Sequence, residues 1–538
     1  MSEWYRTAVF YEALVRSFRD SNGDGIGDLC GLTESLDYLQ WLGIDCIWLP
    51  PIFESPLRDA GYDVSDFYSI QPDLGTIDDL RELIDQAHFR GLRIVSDLVM
   101  NHTSDAHDWF RRARQPGSQY RDWYVWSDTP DLYPEARIIF LDTEDSNWAW
   151  DETAGAYYWH RFYSHQPDLN FDNPDVRTAV LDVVRHWLGF GFDGFRLDAV
   201  PYLFERVGTN GENLPETHDF LKEIRALVDS EFPDAVLLSE ANQWPQDAVA
   251  YFGDGDECHM NFHFPLMPRL YMALARGHAD DIRSIMADTP DPPAGAQWAV
   301  FLRNHDELTL EMVTEEEREF MWGHYAPDPQ MRLNQGIRRR MAPLLDGDRR
   351  SLELLHGLLL SLPGSPVLYY GDEIGMGDDY LLDDRDGVRT PMQWNGEAGA
   401  GFSTTDPKSF WLPLVTTEGY RPQDVNVADQ KAEPGSFLNW LRTMLETRRS
   451  RPEMGLGSFE ILDAAEPAIL AFVRELDDRM TLVIANFERE TRRARITGPR
   501  LNGRVAIDIT TGHPLSEVSS DPFEIDLGAL EFRWLEMA

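Results

Sequence analysis

The chain is 538 residues long, 43% hydrophobic, with 93 acidic against 48 basic side chains and a formal net charge of −45 at pH 7. That length buries a large core and calls for two or three domains. The charge argues against nucleic acid and against a membrane surface as partners, and favours a neutral or cationic small molecule.

The first residues, Met1-Ser-Glu-Trp-Tyr-Arg-Thr7, carry no basic stretch followed by an apolar one, so no secretory signal is expected. No apolar run approaches the roughly 18 residues of a membrane span. Cys30, Cys46 and Cys258 are odd in number and far apart, which reads as reduced core cysteines in a cytoplasmic protein. A homo-oligomer is compatible with this composition.

Short apolar runs follow at 8–15, 44–52, 92–100, 192–200, 235–241, 258–264, 297–305 and 366–371, separated by helical patterns. Eight such runs predict an α/β fold, a (β/α)8 TIM barrel, rather than an open doubly wound sheet. Segments 32–42 and 77–90 show apolar residues at helical spacing, each followed by a glycine. Residues 102–170, rich in Trp and Tyr, are too long for a βα loop and predict an inserted subdomain after strand three. Residues 307–350, rich in Glu, Arg and Met, predict a helical lid after strand seven. The barrel is therefore expected over 1–101 and 171–453, closed by a last helix at 436–451. From 454 to 538 short alternating strands predict a C-terminal β-sandwich.

The polar residues at the strand ends carry the chemistry. Strand three ends in Asp97-Leu-Val-Met-Asn101-His102, strand four in Arg196-Leu-Asp198, strand five in Glu240-Ala-Asn242 and strand seven in Arg303-Asn304-His305-Asp306-Glu307. The C-terminal ends of barrel strands are where catalysis sits. Arg196 and Asp198, two apart on a strand, face the same side, so the guanidinium is expected to lower the acid's pKa and keep it ionised. Alone, that pair fits a structural ion pair as well as a nucleophile. Three carboxylates converging from strands four, five and seven favour glycoside chemistry.

These strand ends, with Gln166-Pro-Asp168-Leu-Asn170 and Ala60-Gly-Tyr62-Asp63, resemble the motifs of the α-amylase superfamily in the order that family shows. The resemblance implies Asp198 as nucleophile, Glu240 as general acid/base and Asp306 as transition-state stabiliser. It also implies a sugar-binding set of Asp59, Tyr62, His102, Gln166, Arg196, His305 and Arg389. Pro201-Tyr-Leu-Phe-Glu-Arg206, Glu212-Asn-Leu-Pro-Glu-Thr-His218, the run 258–268 and Arg389-Thr-Pro-Met-Gln-Trp394 are similar to the trehalose synthase branch. That branch implies an isomerase interconverting maltose and trehalose. A hydrolase of short α-glucosides is the alternative, and a non-catalytic transporter subunit is disfavoured because all three carboxylates are present.

Asp20, Asn22, Asp24, Ile26 and Asp28 alternate around glycines like the first part of an EF-hand loop, but the twelfth position is Gly31 where a bidentate glutamate is needed. The stretch reads as a cation loop, for calcium or alternatively magnesium, or as an Asx-rich turn. A second calcium site is implied by the resemblance alone: Asn101, Asp168 and Glu205 through side chains, Tyr202 and Leu203 through carbonyls, all hard oxygen donors.

Overall fold

A computed structural model describes residues 3–518 and 522–538. Its centre is a closed barrel of eight parallel strands. They are β1 Phe10–Glu12, β2 Cys46–Leu49, β3 Arg93–Leu98, β4 Gly194–Leu197, β5 Val236–Ser239, β6 Met260–Phe262, β7 Gln297–Phe301 and β8 Ser365–Tyr369. Each pairs with its neighbours in chain order, and β8 closes on β1 with Phe10 opposite Val367. All eight expected runs are strands, shorter than their apolar stretches. Both faces are buried, which is why they read as continuous apolar runs without alternation.

Main helices around the barrel are α1 Leu36–Leu42, α2 Ile77–Phe89, α3 Pro174–Phe190, α4 Pro215–Glu231, α5 Leu266–Arg276, α6 Arg349–Leu359 and α7 Phe437–Arg449. Helix α2 opens with a Thr76–Asp79 capping box and turns Leu80, Leu83, Ile84 and Ala87 inward. Segment 32–42 is not one helix: Ser35 separates Leu29–Glu34 from α1. Gly194 opens β4 at φ +153°, where an added Cβ would stand 2.1 Å from the Val236 carbonyl oxygen. Only glycine lets β4 lie that close to β5.

Between β3 and α3 the insertion carries a small antiparallel sheet of Trp126–Ser127, Ala156–Trp159 and Trp148–Asp151. Between β7 and α6 the expected helical lid proves mixed. Helix Glu315–Tyr325 is there, but so is an antiparallel sheet of Leu308–Thr309, Gly336–Ile337 and Arg332–Leu333. Two-residue strands are too short to imprint a period on the sequence.

The tail forms a six-stranded sheet from Ser458–Leu462 to Phe532–Met537, with Arg492–Ile496 and Phe523–Leu527 as a second, two-stranded layer. Leu482, Ile484, Ala494, Ile496, Leu527 and Leu535 from both layers share one core, the sandwich expected. Residues 519–521 of that expected domain, and Met1 and Ser2, lie outside the described residues.

Candidate active site

A cavity opens at the C-terminal ends of the strands, with Asp198, Glu240 and Asp306 in its wall. Asp198 directly follows β4, Glu240 directly follows β5, and Asp306 lies five residues past β7. Asp59, Tyr62 and His102 line the same cavity; Phe140 and Phe162 come from the insertion, and Glu307, Thr309 and Glu311 from the β7–α6 segment.

Gln166, Arg196, His305 and Arg389 stand one layer back, each bonded to a lining residue. Gln166 donates to Asp59 at 2.8 Å. Arg196 gives one terminal nitrogen to Asp97 at 2.6 Å and to Asp198, and the other to Glu240 at 2.6 Å. His305 stacks on the Tyr62 ring, and its Nε2 lies 2.8 Å from the Tyr62 hydroxyl and 3.2 Å from Asp306. Arg389 donates to the His305 carbonyl at 2.9 Å and to Asp306 at 3.0 Å. The place beside Asp59 in the cavity wall is taken instead by Arg385, 3.8 Å from Asp59 and 3.1 Å from Asp306.

One guanidinium therefore grips both candidate reacting carboxyls. Sharing the two terminal nitrogens of Arg196 keeps the Asp198 and Glu240 side chains close together. Such closeness suits a retaining pair, roughly 5–5.5 Å apart, better than an inverting pair spread by an intervening water. Immediately after Asp198, Ala199 turns left-handed at φ 52°, and its N–H donates to Glu240 at 3.0 Å. A non-glycine residue held there stores strain, which concentrates at functional sites.

Burial dominates the electrostatics. It pushes Asp198 up to about 6 against the pull of Arg196, so the lowering expected from the ion pair alone is overturned: desolvation exceeds it. Glu240 is pushed up to about 7, again by burial first. Asp306 goes the other way: His305, Arg385 and Arg389 outweigh its burial and hold it well below the usual carboxylate range. His102 is driven down to about 3 by burial and is neutral, while carboxylates on both sides raise His305 to about 10 in spite of its burial. The site thus offers an ionised carboxylate, a carboxyl poised to hold or release a proton near neutrality, and a fixed anion.

The mouth is bridged from above. Arg137 of the insertion donates to Glu212 at 2.8 Å, to Glu311 at 2.8 Å and to the Tyr202 hydroxyl at 3.1 Å. Glu212 also accepts from Arg161 and Gln243. Sequence reasoning singled out the stretch around Glu212 but missed Arg137, Arg385 and Glu311, which lie in irregular or very short elements without periodic signal.

Of the expected cation ligands, Asn101 and Asp168 come together beneath the insertion. Asn101 Oδ1 and Asp168 Oδ2 are buried and lack a hydrogen-bond partner among the described residues. Burial pushes Asp168 up to about 8, and Glu205 is raised well above the carboxylate range by burial and by the Asp168 charge. In the Asp20–Asp28 loop the oxygens are occupied: Asp20 accepts from Asn22, Gly23 and Gly25, Asn22 from Asp24, Asp24 from Ile26, and Asp28 from Ser21 and Gly31. Among the described residues no group of three or more His, Cys, Asp and Glu side chains is arranged to hold a metal.

A parallel barrel with paired carboxyls at its strand ends defines a sugar-processing enzyme of glycosidase type. The family model described as alpha amylase, catalytic domain, matches residues 13–323 and 333–457, and that of the maltogenic amylase C-terminal domain matches 459–534. A trehalose synthase of Pimelobacter sp. is 55% identical over 99% of this chain and 96% of its own length. A trehalose synthase/amylase of Mycobacterium tuberculosis is 56% identical, covering 99% and 90%. An oligo-1,6-glucosidase of Heyndrickxia coagulans is 32% identical, covering 91% and 93%. Among solved structures, a trehalulose synthase variant in complex with Tris superposes with a TM-score of 0.81 at 28% identity over both full chains. The chain belongs to the α-amylase family, in its trehalose synthase branch.

Proposed function

We propose that the protein interconverts maltose and trehalose within one closed site. Asp198 attacks C1 of the non-reducing glucose while Glu240 protonates the departing O4, leaving a covalent glucosyl-enzyme and a free glucose. That glucose turns, and Glu240, now a base, takes the proton from its anomeric hydroxyl as the 1,1 bond forms. Asp306 stands beside the developing positive charge, held anionic by His305, Arg385 and Arg389. Two inversions at one carbon retain the α configuration, as both disaccharides require.

The observation that carries isomerisation over hydrolysis is the Arg137 bridge, which ties the insertion to the β7–α6 segment over the cavity. A closed roof excludes water and keeps the released glucose at high effective concentration. The relatives at 55% and 56% identity carry the name trehalose synthase, one of them with amylase beside it, whereas a hydrolase name alone comes at about 32%. The test is maltose turned over with isotopically labelled free glucose. Trehalose with little label is expected; heavy label overturns the intramolecular step, and glucose without trehalose favours the hydrolase.

Calcium belongs to this reading as a structural ion. Asn101, Asp168 and Glu205, with the carbonyls of Tyr202 and Leu203, would hold it; the unpartnered buried oxygens of Asn101 and Asp168 fit a hard cation. It would neutralise buried carboxylates and pin the insertion to the barrel. The Asp20–Asp28 loop, whose side-chain oxygens already accept backbone N–H groups, fits an Asx-rich turn better than a second calcium or a magnesium site. The three cysteines are free, which suits a reducing cytoplasm, though only Cys46 and Cys258 are core residues and Cys30 is exposed. Among the described residues no helix is long and apolar enough to cross a membrane.

A further inference from the structure

Glu12 ends β1 directly beneath the active site and is fully buried. Its Oε1 accepts from the backbone N–H of His305 at 3.3 Å and from the His305 ring at Nδ1. The other face of the ring, Nε2, meets Asp306 and the Tyr62 hydroxyl. Trp48 and Tyr62 pack against the ring, and the His305 carbonyl is fixed by Arg389. Nothing in the steps above uses Glu12. Yet a buried carboxylate is costly unless it is paired, and here it is paired to a residue that itself touches Asp306.

We infer that Glu12 is a positioning residue that keeps His305 doubly protonated, with its Nε2–H fixed on Asp306 and its ring fixed against Tyr62. A neutral imidazole bonded to a carboxylate at Nδ1 presents a bare Nε2, which repels Asp306. With a second carboxylate on the opposite edge, the ring carries a proton at each nitrogen and becomes a cation between two anions. Asp306 then stays anionic and correctly turned where positive charge develops on the sugar. The other ionisable groups facing this pair are Asp97 from β3, Asp372 and Tyr369 from the end of β8, and Arg385 and Arg389. Among the described residues, Glu12 is the group that meets Nδ1 through a direct bond.

The inference rests on the reading that Asp306 acts on the glucosyl unit, but not on the isomerase step. Its test therefore uses α-glucosyl fluoride, whose leaving group needs no proton from Glu240, so the basic limb of kcat/KM no longer reports that residue. Wild type is expected to hold its rate to about pH 9. Glu12→Gln keeps the shape and loses the charge; its basic limb should fall about one to three pH units lower, the usual effect of removing an adjacent opposite charge. Glu12→Asp, which keeps the charge, should restore the limb even where the rate stays reduced. In 15N-histidine spectra, the resonance lost in His305→Gln should show an imidazolium at pH 8 in the wild type and a neutral ring in Glu12→Gln. A neutral His305 in the wild type at pH 8 overturns the inference, and needs no variant of Glu12 to fold. So does a Glu12→Gln enzyme with an unmoved limb, whatever its rate. If the fluoride result holds while maltose yields only glucose, the isomerase reading fails and this one stands.

Discussion

Asp198 works ionised and Glu240 works protonated, so the two impose opposite pH dependences on one reaction. Asp198 gains its charge as pH rises through about 6, and Glu240 loses its proton as pH rises through about 7. For maltose, kcat/KM should therefore trace a narrow bell with limbs near those values, belonging to the pair rather than to either residue. With α-glucosyl fluoride the limb near 7 should vanish, leaving only the one above about pH 9 that reports His305. Asp198→Asn should cost roughly four orders of magnitude or more with either donor, because an amide forms no glucosyl-enzyme. Glu240→Gln should lose maltose turnover but keep glycosylation by the fluoride, seen as a burst of fluoride release. A maltose profile flat from pH 5 to 8 would remove both assignments. These carboxyls were legible in the sequence because each sits where an apolar strand run stops on a charge. Arg385 was not, since it lies in an irregular stretch, and Glu12 was not, since it sits inside an apolar run. Only closure of the barrel brings position 12 to position 305.

Elements supply what single residues cannot, a site that shuts. Arg137 reaches across from the insertion and bonds Glu311 of the β7–α6 segment and Glu212 of the loop after β4. Bonds to charged groups contribute about 1.5–3 kcal/mol. Losing one of these should lower the closed population roughly tenfold or more. Arg137→Ala is thus expected to raise the free-glucose fraction severalfold while leaving glycosylation by α-glucosyl fluoride within about threefold of wild type, both read by product analysis. An unchanged glucose fraction would mean that the bridge does not gate water. The insertion also meets the barrel at Asn101, whose carbonyl accepts from Leu169, and the proposed ion would sit there. Chelation should lower Tm in the wild type, since an ion bound only by the folded state adds about 2.7 kcal/mol at a hundredfold excess over Kd. In Asp168→Asn that chelator-dependent shift should largely disappear; an equal shift in both proteins would place the ion elsewhere. The barrel strands and the insertion were readable from apolar runs and from a loop too long to be one. The small sheet in the β7–α6 segment was hidden, because its strands of two residues are fixed by packing: a Cβ on Gly336 would meet the Leu308 carbonyl oxygen at 2.8 Å.

Across the whole molecule, tail and barrel share one interior. Phe472, Val483 and Trp534 of the tail belong to the same apolar cluster as the barrel strands. Polar contacts at the seam include two buried arginines, one on each side. Arg448 of α7 donates to the Leu360 and Gly364 carbonyls. Arg474 of the tail donates to Ser361 at 2.9 Å, Gly457 at 3.0 Å and Ser458 at 3.2 Å. Leu360 and Ser361 follow the last turn of α6, whose carbonyls lack partners within the helix and carry the negative end of its dipole. Arginine suits this position because its planar fork serves several acceptors at once. In Arg474→Met the side chain still fills much of the space but three carbonyls lose their donor, at about 1–3 kcal/mol for each that water cannot reach. A fall in Tm of several degrees is expected, with Arg474→Lys intermediate because it keeps the charge without the fork. The seam lies at the N-terminal ends of the strands, opposite Asp198, Glu240 and Asp306, and that face of a barrel serves stability rather than chemistry. The rate with maltose at 25 °C should therefore stay within about twofold of wild type. Thermal melts and steady-state rates on the same preparations decide it: an unchanged Tm, or a lost rate with Tm intact, would show that the tail does not hold the barrel through Arg474.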